Sequence, residues 1–378
     1  MSHVAGTHAG RSDLRSEVEQ ELQAMFSRSK ATAEAYGPDF ARLWNLASDH
    51  VQGGKLVRPL LLLETYDALR RSEQSTPSRS RSQIVRRGGL ARSEVVRIAA
   101  AVEALHYAFL LHDDVIDGDV LRRGRLNLIG ELAETSQDEA RPEGARHWAQ
   151  TGGILAGNLL LSCAHQLFAR AKLPAELKVR LLDLLEHTVF ETTAGEFADV
   201  GLSAGVISAD LNTVLAMTGR KTASYSFGLP LRAAVILADG STALENRMST
   251  AGSHLGLAYQ LQDDLLSTFG NASVHGKDLY SDLREGKQTA IICFARMSGS
   301  WPLIEADFGN PDMSIESARY LSDCLRDCGA EDFVRGLIRE QMEACSVALS
   351  GCDADESVPA MVQDVLFALS ARIDGRRS

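Results

Sequence analysis

The chain has 378 residues, 45% of them hydrophobic, with 39 basic against 50 acidic side chains for a net charge of −11. Length and apolar content allow one large domain or two average ones, each with a sizeable core. The acidic balance argues against a nucleic-acid binder, and any anionic ligand must be held by locally placed cations or metal.

The first dozen residues contain no apolar stretch, so no signal peptide is expected and residues 1–13 read as a flexible N-terminus. From there the pattern is helical nearly throughout. "SEVEQELQAMFSRSK" opens with a capping serine and early acids, and "LVRPLLLLETYDALRRS" follows with apolar residues at spacings of three and four. Residues 71–89 are Ser/Arg-rich and read as a polar surface loop. "SEVVRIAAAVEALHYAFLLH" is apolar almost all round, the mark of a buried helix. Residues 134–147 read as a second polar loop, and four more long helical segments lie between residues 156 and 270. No β run is convincing. No uncharged apolar run reaches about 18 residues, so no membrane span is expected. The expectation is an all-α chain with one domain over 14–378, built as a large helical bundle. The six scattered cysteines, including the Cys324 and Cys328 pair, lack zinc-ligand spacing and read as reduced thiols, with the cytoplasm as the default location.

The chemistry concentrates where apolar helices end. "LLHDDVIDGDVLRRGR" places Asp113, Asp114, Asp117 and Asp119 close together, with Arg122, Arg123 and Arg125 directly after. Asp113 and Asp117 are four apart and share a helical face. An echo occurs at "QLQDDLLSTFG", where Asp263 and Asp264 end another apolar run. One such pair is also what a solvated helix end looks like; two favour a cation between the carboxylates. A few water-accessible carboxylates suit Mg2+, which keeps waters and bridges to phosphate. Arg is suited to forked contact with phosphate. Lys55, Arg58, Lys221, Lys277 and Lys287 also sit near helix ends or loops, and Gly53 and Gly54 allow close backbone approach to an anion.

These elements, in this order over about residues 40–300, resemble the trans-isoprenyl diphosphate synthases of the polyprenyl synthetase family, most of all geranylgeranyl diphosphate synthases. "GGKLVRP", "EALHYAFLLHDDVIDGDVLRRGR", "GRKTAS", "YQLQDDLL" and "GKDLYSDLREGKQT" carry the resemblance. It implies an isoprenoid synthase bundle with a central prenyl-binding cavity, three Mg2+ ions per active site, and a homodimer. The implied reaction condenses isopentenyl diphosphate with dimethylallyl, geranyl or farnesyl diphosphate. By resemblance, Asp113, Asp117, Asp263 and Asp264 are metal ligands, with Asp114 supporting them. Arg122, Lys221, Lys277 and Lys287 hold the allylic diphosphate. Lys55, Arg58, His106 and Arg123 hold isopentenyl diphosphate. Thr222 and Gln260 place oxygens near the developing allylic cation.

The second acidic motif departs from the family pattern by ending in Ser267 instead of Asp, and "RRGRLN" lacks the usual Pro-Thr after the arginines. For product length, Ala108 stands five residues before Asp113, where a bulky residue stops growth at farnesyl in the family, and Phe109 narrows one side. Ala108 is small, so a C20 product, geranylgeranyl diphosphate, is expected, with farnesyl or C25 and longer products as alternatives. A terpene cyclase would not need Lys55, Arg58 and Arg123. A non-catalytic partner subunit, the reading of another class, would have lost its acidic motifs.

Overall fold

The computed structural model describes residues 3–52, 54–75, 90–122, 124–135, 142–270, 279–350 and 358–374. Helices α1 (His3–Ala35), α2 (Pro38–Gln52), α3 (Val57–Ser75) and α4 (Arg92–Asp117) come first, followed by a minimal hairpin of β1 (Leu121–Arg122) and β2 (Arg125–Leu126). Then come α5 (Leu128–Thr135), α6 (Pro142–Arg170), α7 (Ala175–Ser203), α8 (Leu211–Thr218), a π-helix over Gly219–Gly228, and α9 (Leu229–Leu237). Next follow α10 (Thr242–Phe269), α11 (Ser281–Arg284), α12 (Ala290–Met297), α13 (Trp301–Ile304), α14 (Ile315–Asp327), α15 (Ala330–Ser350) and α16 (Ala360–Asp374). The fold is all-α, as the periodicity predicts.

Two expectations about local structure change. The N-terminus is helical from His3, and it is tied down by Arg11, whose Nε lies 3.3 Å from Glu64 Oε1. Both polar loops are shorter than read: α3 continues to Ser75, α5 to Thr135, and α6 begins at Pro142. A proline fits a first helical position because that N–H has no intrahelical partner in any case. Residues 76–89 and 136–141, the remainder of those loops, lie outside the described residues. The chain divides into two compact units, residues 1–185 with 230–241 and residues 186–229 with 242–378. Each gathers its core around its own long central helix.

In the first unit that helix is α4. Val95, Ile98, Ala101, Val102, Leu105, Ala108 and Leu111 are all fully buried, so the helix is enclosed on nearly every side. It packs against α1, α3 and α6, and its many alanines let those neighbours come close. Near the N-terminus, Trp44 packs against Phe26 with the rings tilted by 53° and 4.9 Å between centres, and it donates its indole N–H to the Phe26 carbonyl. Helices α4 and α6 each hold an 18-residue window apolar enough to cross a membrane by length and composition. The α4 window is 72% buried within the protein and that of α6 44%, so α4 has the environment of a core helix.

In the second unit the central helix is α10, packed against α15 and the π-helix. Leu261, Leu265, Ile291, Leu321, Val334 and Ile338 form its core. The π-helix is held by close backbone approach. A Cβ built on Gly195 of α7 falls 2.2 Å from the Lys221 nitrogen, so only glycine fits there.

Candidate active site

The first acidic motif is positioned by the way α4 ends. Gly118 takes the left-handed conformation (φ 75°) that stops a helix, and its N–H bonds back to the Asp114 carbonyl. Asp119 N–H bonds to the same carbonyl at 2.8 Å, and Asn127 ties β2 back by donating to the Asp119 carbonyl at 2.8 Å. The hairpin thereby returns Arg122 over the end of α4.

The carboxylates then divide by burial. Asp113 and Asp117 are half-buried on one face, whereas Asp114 is turned inward with only 2% exposure. Arg122 Nη2 donates to Asp114 Oδ1 and lies 3.8 Å from Asp113 Oδ2. Burial pushes the Asp114 carboxyl up to about 6 in spite of the opposing pull of Arg122. Burial, with the Asp114 charge next in weight, also raises the Tyr107 phenol. Asp114 is therefore a group that holds Arg122, while Asp113 and Asp117 keep contact with solvent. Arg123 lies outside the described residues.

The "GGKLVRP" stretch follows α2. Lys55 is exposed, Arg58 half-buried, and both engage neighbouring groups. Between them Leu56 is fully buried with φ at 51°, an unusual conformation for a branched residue and one that its burial must hold. Arg15 of α1 donates to the Gly54 carbonyl at 2.7 Å, and a Cβ on Gly54 would fall 2.9 Å from Glu103 Oε1. His106 lies one turn beyond Glu103 on α4 and is half-buried.

In the second unit Lys221 and Thr222 sit in the π-helix. Lys221 Nζ lies 2.6 Å from Asp199 Oδ2 and 3.0 Å from Glu196 Oε2, both on α7. Asp263 is half-buried near the C-terminal end of α10, and Asp264 is buried and accepts from Gln260 Nε2 at 2.9 Å. Gln260 thus orients Asp264. Lys287 follows α11 and pairs with Glu285 at 2.9 Å. Lys277 lies outside the described residues.

The structure adds residues that the sequence reading misses. Glu196 and Asp199 bracket Lys221, and their only trace is acids three apart in "GEFAD", about a turn of helix. Asp282 meets Ser267 by accepting its hydroxyl proton. Among the described residues no group of three or more His, Cys, Asp or Glu side chains gathers as a metal site. The donors are oxygen-only and few, which fits Mg2+, an ion that completes its shell with water and substrate phosphate, and does not fit zinc. The described cysteines Cys163, Cys293, Cys324, Cys328 and Cys345 are free thiols.

The family model for polyprenyl synthetases matches residues 41–306. The chain belongs to the polyprenyl synthetase family. It is 27% identical over 292 residues to a geranylgeranyl diphosphate synthase of Methanosarcina mazei, covering 77% of this chain and 78% of that one. It is 30% identical over 293 residues to a geranylfarnesyl diphosphate synthase of Natronomonas pharaonis, covering 75% and 76%. Among solved structures, the geranylgeranyl pyrophosphate synthase of Corynebacterium glutamicum, complexed with isoprenyl diphosphate and magnesium, superposes with a TM-score of 0.85 at 25% identity, covering 96% of this chain and 99% of that one. This polyprenyl synthetase is accordingly a prenyltransferase of the trans-prenyl diphosphate synthase type with the all-α isoprenoid synthase fold.

Proposed function

We propose that the chain is a Mg2+-dependent, cytoplasmic geranylgeranyl diphosphate synthase, joining isopentenyl diphosphate to an allylic diphosphate and releasing pyrophosphate. Asp113, Asp117, Asp263 and Asp264 are its metal ligands. Bound Mg2+ supplies neutralising charge to the pyrophosphate as it leaves. Arg122, Lys221, Lys277 and Lys287 bind the allylic diphosphate and stabilise the same developing charge. Lys55, Arg58, Arg123 and His106 hold isopentenyl diphosphate so that its double bond lies beside the allylic carbon. Thr222 and Gln260 face the allylic cation with their oxygens. The proton released after carbon–carbon bond formation passes to the departing pyrophosphate, so no protein base is required.

Ala108 carries the product-length reading. It is fully buried five residues before Asp113 on α4, and it lacks the bulk that stops growth at farnesyl in the family. A C25 product is the second reading, because Ala104 and Ala101 are also fully buried and small on the same helix, and the Natronomonas pharaonis relative is a geranylfarnesyl synthase. Incubating the protein with Mg2+, isopentenyl diphosphate and labelled farnesyl diphosphate, then sizing the dephosphorylated products, tests this. C20 as the main product supports the assignment; C25 replaces it with the second reading; absence of any elongation favours a non-catalytic subunit.

We also propose a homodimer. Trp148 and Leu155 on α6 and Phe190 and Phe197 on α7 are large apolar side chains at least half or nearly half exposed, which a covered surface would explain. Sedimentation at micromolar concentration checks this.

A further inference from the structure

The two acidic motifs of this chain are not copies. "DDVID" places a carboxylate, Asp117, four residues after its first Asp, whereas "DDLLS" places Ser267 there. Their surroundings differ as well: Asp117 is half-buried, and Ser267 is 2% exposed. Ser267 Oγ donates to Asp282 Oδ2, and its carbonyl accepts the Tyr280 N–H at 2.9 Å. Asp282 in turn accepts the Lys287 N–H through its carbonyl at 2.9 Å. A single residue thus fastens both the entry and, through Asp282, the exit of the segment that carries Lys287. Tyr280 enters that segment with φ at 71°, a backbone that needs such fastening to persist.

We infer that Ser267 and Asp282 form a positioning pair that sets the place of Lys287 relative to the second acidic motif, and that Ser267 is a working substitution at this position. The chemistry explains the residue types. A hydroxyl has one proton to give, and a carboxylate is its best acceptor in a dry place. An Asp at 267 would bring a second, buried carboxylate against the half-buried Asp282, where two like charges in contact repel. The carboxylate that "DDVID" carries within its own helix reaches the second motif from another segment.

This rests on the prenyl-transfer reading only for Lys287's task, so the test has two arms. In the first, hydrogen exchange of peptides spanning 279–289 is compared among wild type, Ser267→Ala, Ser267→Thr and Ser267→Asp. Protection should fall about tenfold in the Ala and Asp variants and stay at the wild-type level in the Thr variant, which keeps the hydroxyl. Unchanged protection in Ser267→Ala overturns the pair, and if the Asp variant does not fold the Ala and Thr variants still decide. In the second arm, Ser267→Ala should raise the allylic-diphosphate KM about tenfold with kcat within threefold, and Thr should rescue it. A fall in kcat at constant KM overturns the positioning role. Wild type that makes no prenyl product, with the exchange pattern as expected, refutes the prenyl-transfer reading and leaves the pair standing.

Discussion

Arg122 reaches back from the hairpin to grip Asp114, the most deeply buried carboxylate of the first acidic motif. This couples the end of α4 to the strand after it. Arg122→Ala would leave a carboxylate in a dry site with no counter-charge. Breaking a buried pair on one side costs about 3–5 kcal/mol, and because Arg122 is itself about a third exposed the loss should be nearer 2 kcal/mol. Urea denaturation should show the midpoint falling with the slope unchanged.

Asp113→Ala and Asp117→Ala should behave differently. Both residues keep solvent contact, so stability should hold within about 0.5 kcal/mol. Turnover should fall by several orders of magnitude, since each change removes a proposed metal ligand that neutralises leaving pyrophosphate. Steady-state rates across a Mg2+ titration check this; near-normal rates in both would end the metal assignment.

Arg58→Ala should raise the KM for isopentenyl diphosphate at least tenfold and leave that for the allylic substrate within threefold. It is proposed to touch one diphosphate only. Equal effects on both would show that the two-substrate division is wrong.

Ala108 and Phe109 test the product-length reading. Ala108 has no exposed surface, and a phenyl ring there must displace whatever occupies the neighbouring space. Ala108→Phe should shorten the main product to farnesyl diphosphate while sparing the first condensation, and Phe109→Ala should lengthen it. Chromatography of the dephosphorylated products reads both, and no change in either would move the length determinant to another helix.

The thiols offer a test of burial that is independent of activity. Burial pushes Cys345 up to about 11, and Cys293 likewise, from the usual 9.0. Because the folded form holds its proton more tightly than the unfolded form, these groups make stability fall as pH rises from about 9 to 11 and have no effect below that window. Iodoacetamide at pH 8 should label Cys324 and Cys328, which are half-buried, well before Cys293 and Cys345 in mass-mapped peptides.

Much of this was legible in the residues because it is local. The apolar run into Asp113, the glycine at 118 that ends it and the second pair at Asp263 all speak through short-range pattern. What pattern cannot carry is which of two adjacent carboxylates turns inward. Asp113 and Asp114 look alike until the hairpin brings Arg122 onto Asp114, with Asp113 farther off at 3.8 Å. Nor does it carry pairings such as Lys221 with Asp199, set by the packing of α7 on the π-helix some twenty residues away. The helical start at His3 was missed for a related reason: "MSHVAGTHAGRSD" has no apolar stripe, and a distant partner, Glu64, helps to hold it.

The π-helix has a bearing on how this chain is to be compared with others and altered. Its turns are wider than those of an α-helix, so the stretch from Gly219 to Gly228 accommodates more residues per turn than its flanks do. Removing one residue from 224–227 without a change of winding would rotate everything on one side of the cut relative to the other by nearly one residue's turn, about 100° in an α-helix. Lys221 would then face away from Asp199, or the Leu229 end would lose its core register, although every named residue was still present. For that reason a one-residue length difference in this segment is able to uncouple its basic group from its acids without altering either.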